Sequence, residues 1–267
     1  MYKSQLHLSL AMGLVFFSFM AEASTLAFDN LSAAQVNSVI EEFSANFTHT
    51  SVSGASSLGS VFGFQLGLVA GATKVPEIAE LAKLADPTIS TAVVPHAGIL
   101  AMLSIPYGVT FETSLVPAVG SNEFKFRNIG LGVKWTLTES VLPLPLSLAV
   151  KAHLMKTHLE FQQVVSSVNS KIGFDDSVSG LGLYISENFV FIEPYLGLGV
   201  LRGKGDFDVT GTSSFFSFTT ASTYSATRSS PQVVLGVEGT LLFVRLGVEL
   251  ARQFGTTSGT AKLAFSF

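Results

Sequence analysis

Apolar residues alternate with small or polar residues through most of the chain beyond Leu58. In Val61–Ala72, every second residue from Phe62 to Ala70 is apolar, and the residues between are Gly, Gln or Val. Successive side chains of a strand point to opposite faces, so this period predicts β-strands with one apolar face. Ten such segments occur: Val61–Ala72, Ala97–Ile105, Val109–Val116, Ile129–Leu137, Leu146–Leu154, Val178–Ser186, Val190–Arg202, Gln232–Thr240, Phe243–Gln253 and Ser258–Phe267.

Composition places these strands in a membrane. Hydrophobic residues make up 48% of the chain and charged residues 13%, whereas an average soluble domain has about 25% charged residues. Beyond residue 23 there is no run of 18 apolar residues that would form a spanning helix. Only helices and closed barrels satisfy every backbone polar group in lipid. We therefore predict an all-β, transmembrane, antiparallel up-and-down β-barrel over residues 58–267, with ten strands and with eight or twelve as the alternatives.

Several function classes are excluded by the same counts. Fifteen Lys and Arg residues against 19 Asp and Glu give a net charge of −4, whereas a nucleic-acid-binding domain has an excess of positive charge. The absence of Cys excludes disulfide scaffolds, thiolate zinc sites and cysteine nucleophiles. The chain has no Gly-rich phosphate loop, Ser-centred elbow or His-Glu-x-x-His motif. We predict no catalytic residue, no cofactor and no bound metal.

The last strand carries a family signature. From Gly259 every second residue is small or apolar, and the chain ends in Phe265-Ser-Phe267. This pattern resembles the C-terminal strand of Gram-negative outer-membrane β-barrel proteins. The resemblance implies that Phe265 and Phe267 form part of an assembly signal read by the barrel-assembly machinery. It also implies an outer-membrane location in the cell envelope, with outer-membrane lipid and lipopolysaccharide as partners.

An even strand number places both barrel ends on the periplasmic side and alternates long outer segments with short turns. The outer segments are predicted at Thr73–His96, Pro117–Asn122, Lys156–Ile172, Gly203–Pro231 and Gly255–Thr257. The turns are predicted at Pro106–Gly108, Thr138–Pro145, Glu187–Phe189 and Leu241–Leu242. Gly203–Ser230, rich in Ser, Thr and Phe, is predicted to be a mobile outer loop that gathers an apolar ligand or rests on lipid. Phe124 and Phe126 are out of phase with the fourth segment, which predicts a β-bulge near Arg127-Asn128.

The residues before the barrel divide into two parts. Met1–Ala23 has a basic start, a short apolar run and a small-x-small end, which predicts a removed signal peptide. Residues 24–57 are predicted to be helical, with Ser32 and Gln35 as a capping box and the helix running to Asn46. Its apolar face consists of Leu31, Val36, Val39, Ile40, Phe43 and Phe47. The helix either enters the lumen from the periplasm and plugs it or packs against the periplasmic rim. Pro76–Ala85 is predicted to be a second, short helix in the first outer segment.

Strand phase points four acidic and four basic side chains into the lumen: Glu112, Lys134, Lys151, Glu193, Glu238, Arg245, Glu249 and Lys262. Equal numbers of opposite charges favour a buried network, because an unpaired buried charge is costly. A ten-stranded bore is narrower than that of a general porin, which has 16–18 strands. The chain is therefore predicted either to fill its lumen structurally or to form a porin-like, gated path for a small or apolar ligand, whose identity stays open.

Other candidate chemistry is weaker. Ten-stranded barrels include the omptin proteases, whose site combines acidic residues with a His at the outer rim. Asp175, Asp176 and His158 would supply these groups in a surface hydrolase, although no omptin motif is present. A secreted soluble β-sandwich that binds a ligand is a third possibility. Asp206 and Asp208 as Ca²⁺ ligands, and inward His153 as a metal ligand, lack a ligand pattern. Arg202 and Arg252 lie on the lipid face at the level of lipopolysaccharide phosphates.

Overall fold

Ten antiparallel strands close into a barrel in the computed structural model. The model describes residues 32–59, 61–85, 93–120, 124–139, 141, 144–165, 168–213 and 218–267, so the predicted signal peptide lies outside the described residues. The strands are β1 (Gly63–Lys74), β2 (Val93–Ile105), β3 (Val109–Gly120), β4 (Phe124–Thr136), β5 (Ser147–Val165), β6 (Val168–Ser186), β7 (Ile192–Ser213), β8 (Phe218–Leu241), β9 (Val244–Gln253) and β10 (Thr256–Ser266).

Each strand pairs with its neighbours in sequence, and β1 pairs with β10 to close the sheet. Leu66 lies opposite Phe265 at this seam, and Phe267 exchanges backbone hydrogen bonds with Phe64 at 2.8 and 2.9 Å. The prediction of a ten-stranded up-and-down barrel is confirmed. We call the end with the Pro106–Gly108 turn the turn end, and the opposite end the loop end.

The faces of the wall follow the alternation read from the sequence. Leu131 and Val248 are 57% and 56% exposed on the outer surface, whereas Lys134 and Glu238 are 1% and 2% exposed in the lumen. Trp135 Nε1 donates to the Tyr107 carbonyl (3.2 Å) where the apolar surface meets the turn end. The barrel therefore has an apolar outside and a polar inside over this part of its height.

Towards the loop end, β5 to β8 continue far beyond the predicted strands, with 19, 19, 22 and 24 residues. The predicted outer segments Lys156–Ile172 and Gly203–Pro231 are mostly strand, so the prediction of a mobile loop at Gly203–Ser230 was wrong. Along β7, the outward residues change from Leu198 and Val200 to Arg202 and Lys204, while inward Phe207 is buried. The polarity of the alternation inverts because the outside there is charged and the lumen contains an apolar helix.

The same inversion accounts for Phe126, and the bulge predicted near Arg127-Asn128 lies opposite these residues on the partner strand and not on β4. Burial alternates without interruption along β4, with Lys125 and Arg127 exposed and Phe126 buried. The register shift lies on the partner strand β3, between Val116 and Val119. Phe126 points inward because its ring packs on Phe47, with centroids 5.6 Å apart.

Two helices accompany the barrel. Helix α1 (Ala33–Asn46) begins at Ser32, and the Ser32–Gln35 capping box is present as predicted. Helix α2 (Pro76–Ala85) lies in the connection between β1 and β2, also as predicted. No helix among the described residues is long and apolar enough to cross a membrane.

Candidate functional site

Residues 32–58, which we call the lumen segment, run inside the barrel from the loop end to the turn end. Helix α1 lies close to six strands of the wall, with Cα–Cα distances of 8 Å or less to β1, β2, β6, β7, β8 and β10. Leu58 N donates to Ser104 Oγ (3.0 Å), next to the Pro106–Gly108 turn. The helix therefore lies in the loop-end half of the lumen, and the extended chain after it fills the turn-end half.

The predicted apolar face of α1 packs against the inverted part of the wall. Val36 and Ile40 belong to a buried cluster with Phe126, Ile172, Phe174 and Phe207. Val39 packs against Val75 and Ile78 near the start of α2, and the Phe43 ring lies 4.9 Å from that of Phe174. Burial of these side chains is the main apolar contribution to holding the helix in place. Phe207, which belongs to the segment predicted to gather an apolar ligand, is thus packed in the same cluster as α1.

Polar contacts fix both the helix and the α2 connection. Glu42 accepts hydrogen bonds from the backbone N–H groups of Glu77 (2.7 Å) and Ile78 (2.9 Å), which lie in the first turn of α2 and have no partner within that helix. Burial raises the pKa of the Glu42 carboxyl, although these two backbone bonds oppose the shift. Ser44 Oγ donates to Asp176 Oδ1 (2.9 Å) on the wall. The helix therefore bridges the wall and the α2 connection.

The extended chain after the helix binds the lumen charges through its backbone. Lys134 Nζ donates to the carbonyls of Gly54 (2.7 Å) and Ser56 (2.8 Å). Glu193 Oε1 accepts from Ser56 N (3.1 Å) and from Ser186 Oγ (2.5 Å). Residues 50–57 are mostly Ser, Thr, Gly and Ala, whose small size leaves the peptide groups accessible to the wall.

A second set of contacts centres on Glu112. Its Oε2 accepts from Lys151 Nζ at 2.8 Å and lies 3.1 Å from His49 Nε2, and its Oε1 accepts from Ser51 Oγ at 3.1 Å. Lys151 Nζ also donates to Ser51 Oγ at 2.8 Å. Ser114 Oγ lies 3.0 Å from the other ring nitrogen of His49. Wall and lumen segment thus share one buried hydrogen-bond network.

The remaining predicted lumen charges bind either the lumen segment or other residues of the wall. Glu249 accepts from Thr50 Oγ1 (2.7 Å) of the lumen segment and from Tyr195 OH (2.9 Å) of the wall. Glu238 instead binds Lys262 (3.1 Å) and Arg245 (3.3 Å), all within the wall. All eight predicted residues lie on the inner face. Sequence reasoning missed the hydrogen bonds that join Lys134, Glu193 and Glu249 to residues 50–56. The only sign of these contacts in the sequence is the run of small polar residues before β1.

The structure does not assemble the candidate hydrolase site. His158 Nδ1 lies 2.8 Å from Asp175 Oδ1 on the outer face, while neighbouring Asp176 points inward to Ser44. Asp206 is bound by Lys204 (3.1 Å), and Asp208 accepts from Thr223 Oγ1 (2.7 Å).

His153 is buried in the wall, and neither of its ring nitrogens has a hydrogen-bond partner among the described residues. Among the described residues, no three His, Cys, Asp or Glu side chains are grouped to hold a metal ion.

A family model described as "Family of unknown function (DUF6588)" matches residues 7–267. The chain belongs to this family. No curated protein matches the DUF6588 chain.

Solved structures similar to it include outer membrane protease OmpT from Escherichia coli, at 11% identity and a TM-score of 0.40, with 81% of this chain and 100% of that chain covered. The translocator domain of autotransporter NalP from Neisseria meningitidis has 8% identity and a TM-score of 0.45, with 79% and 90% covered. The attachment invasion locus protein Ail of Yersinia pestis has 12% identity and a TM-score of 0.31, with 76% and 98% covered. At this level of similarity none of the three carries a statement about activity.

Proposed function

We propose that this DUF6588 protein is a gated outer-membrane β-barrel of a Gram-negative bacterium, and that the lumen segment is its gate for small solutes. In this proposal Met1–Ala23 is removed as a signal peptide, and Phe265 and Phe267 direct insertion by the barrel-assembly machinery. The apolar outer band supports a membrane location, because contiguous exposed apolar surface of this extent is not stable in water. Phe265 and Phe267 are exposed beside the β1–β10 seam, where another protein could contact them.

The observation that carries the gating proposal is that, among the eight lumen charges, Lys134, Glu193 and Glu249 bind residues 50–56. If the lumen segment left, Lys134, Glu193 and Glu249 would face an unfilled bore, and water would have to replace the hydrogen bonds they make with residues 50–56. A barrel with only a structural role could fill its bore with its own side chains, as eight-stranded barrels do.

Glycines on the inner wall create the space that the lumen segment occupies. A Cβ on Gly205 would lie 2.7 Å from Ile40 Cγ2, and one on Gly247 would lie 2.9 Å from Val52 Cγ1. The wall is therefore shaped around a chain segment that continues into β1 and is held to the wall by no disulfide, since the chain has no Cys. Such a segment can leave as a unit and open a polar bore that admits small hydrophilic solutes.

Deletion of residues 32–58 tests the proposal in planar lipid bilayers. A shift between boiled and unboiled samples on a gel first establishes that the deletion variant forms a barrel. We expect the full chain to be closed for most of the recording and the variant to be steadily open. A synthetic peptide of residues 32–58 should then reduce its conductance. A folded deletion variant that does not conduct would contradict gating and leave the structural role.

A further inference from the structure

Four exposed basic side chains of the outer surface lie at one level of the barrel. Counted from the turn end of their strands, Arg127 on β4, Lys156 on β5, Arg202 on β7 and Arg252 on β9 are reached after 9 to 11 residues, both ends included. A tilted strand needs about 9–11 residues to cross the hydrocarbon core. These cations therefore stand where the wall leaves the apolar band.

Arg202 marks this boundary most clearly. Directly below it, the row Leu181, Val200 and Pro231 is exposed and apolar. Two residues above it, Lys204 binds Asp206 at 3.1 Å, and further up Glu160 binds Lys171 at 2.8 Å. The outer surface thus changes from apolar to charged at the height of Arg202.

Arg202 also lines a surface groove of about 550 Å³ between β6 and β8. Its neighbours in the register are Ser179 and Ser229, whose short side chains leave room around the guanidinium. The groove continues downward over Leu181, Val200 and Pro231. Within the part of the chain that the structure describes, neither Arg202 nor Lys156 has a carboxylate within 4.0 Å.

We propose that this groove binds a phosphorylated glycolipid of the outer leaflet. Arg202 binds the phosphate, Ser229 donates a further hydrogen bond, and an acyl chain lies on Leu181 and Val200. A guanidinium at the edge of lipid matches phosphate because it offers two parallel N–H donors together with its charge. Lys156 lies one row above, opposite Ser177 in the register, and increases the positive potential. The site rests on the outer-membrane location proposed above.

Native mass spectrometry of the detergent-extracted protein with added lipid A tests the site. Loss of one charge-assisted contact at an exposed site is expected to weaken binding about tenfold for Arg202→Ala and about 100-fold for Arg202→Ala with Lys156→Ala. Arg202→Lys should fall between the wild type and Arg202→Ala, because it keeps the charge and loses the paired donors. Lys171→Ala is the matched control: it removes an exposed cation near the loop end, bound to Glu160, and should leave binding unchanged.

Three outcomes would overturn the site: unchanged binding by Arg202→Ala, equal binding of dephosphorylated lipid A, or full competition by inorganic phosphate alone. The first two would indicate adsorption through acyl chains, and the third a site for free anions. Bilayer recording of the same variants separates this proposal from gating. Arg202→Ala should retain the closed lumen in either case, because Arg202 faces away from the lumen segment.

Discussion

Replacing Lys134 with Met should loosen the lumen segment while leaving the barrel wall intact. Lys134 is 1% exposed, and its ammonium group donates to Gly54 O at 2.7 Å, Ser56 O at 2.8 Å and Ser53 Oγ at 3.5 Å. Met has a similar length but no donor, so all three contacts with the lumen segment are lost.

The size of the effect follows from the two short bonds. A hydrogen bond to a charged group contributes about 1.5 kcal/mol at the lower end of its range, which suits a site where burying the ammonium also has a cost. Two such bonds amount to about 3 kcal/mol, or a change of about 100-fold in the equilibrium between docked and released lumen segment. The open probability in planar bilayers should rise by this factor.

Lys262→Met provides a matched control. Lys262 is 3% exposed, and its Nζ forms an ion pair with Glu238 of the wall, 3.1 Å away. Arg245 remains beside Glu238 in that variant, at 3.3 Å. Lys262→Met should therefore lower barrel stability without raising the open probability. Equal opening in the two variants, or none with Lys134→Met, would refute the reasoning.

Three further perturbations address the helix, the wall and assembly. Because the pKa of Glu42 is raised in the docked state, that state binds more protons than the released state, and docking should be strongest below the ordinary pKa of 4.5. Docking should weaken as pH rises through the raised pKa, so bilayer recording should show the open probability increasing with pH. Glu42→Gln should flatten this increase. Gly205→Val should displace Ile40 and open the barrel. Gly173→Ala should leave the barrel closed, because its new Cβ would lie 3.8 Å from the nearest side-chain atom. A Gly205→Val barrel as closed as the wild type would show that the space at Gly205 is not needed. Deleting Phe267 should reduce the amount of assembled barrel in outer-membrane fractions without changing the conductance of the barrels that form, and unchanged assembly would remove its role as a signal.

Sequence reasoning succeeded where one physical contrast governed the pattern. Over the apolar band, lipid lies outside and polar groups lie inside, so alternation alone identified the strands and the inward charges. Above Arg202 the contrast reverses, because charged residues lie outside and α1 lies inside. Phe126 and Phe207 then appear out of phase, and a continuous strand was taken for a bulge in one case and a loop in the other.

The lumen segment shows the opposite limit. Helix α1 was predictable from the capping box at Ser32 and the spacing of Val36, Ile40 and Phe43. Residues 50–56 have no periodic signal, because their backbone, and not a face of side chains, makes the contacts with Lys134 and Glu193. Which groups neutralise the lumen charges could be found only once the folded chain had brought distant residues together.

A reversible disulfide between the helix and the wall tests the closed lumen most directly. A Cβ on Gly203 would lie 3.0 Å from Ser44 Cβ, and a disulfide prefers about 3.8 Å, so a small displacement allows Ser44→Cys and Gly203→Cys to bond in a chain with no other Cys. Recorded in one bilayer with Lys134→Met as a third change, the oxidised barrel should stay closed and should open after a reducing agent is added. Steady conductance with the disulfide intact, or silence after its reduction, would contradict a lumen closed by residues 32–58.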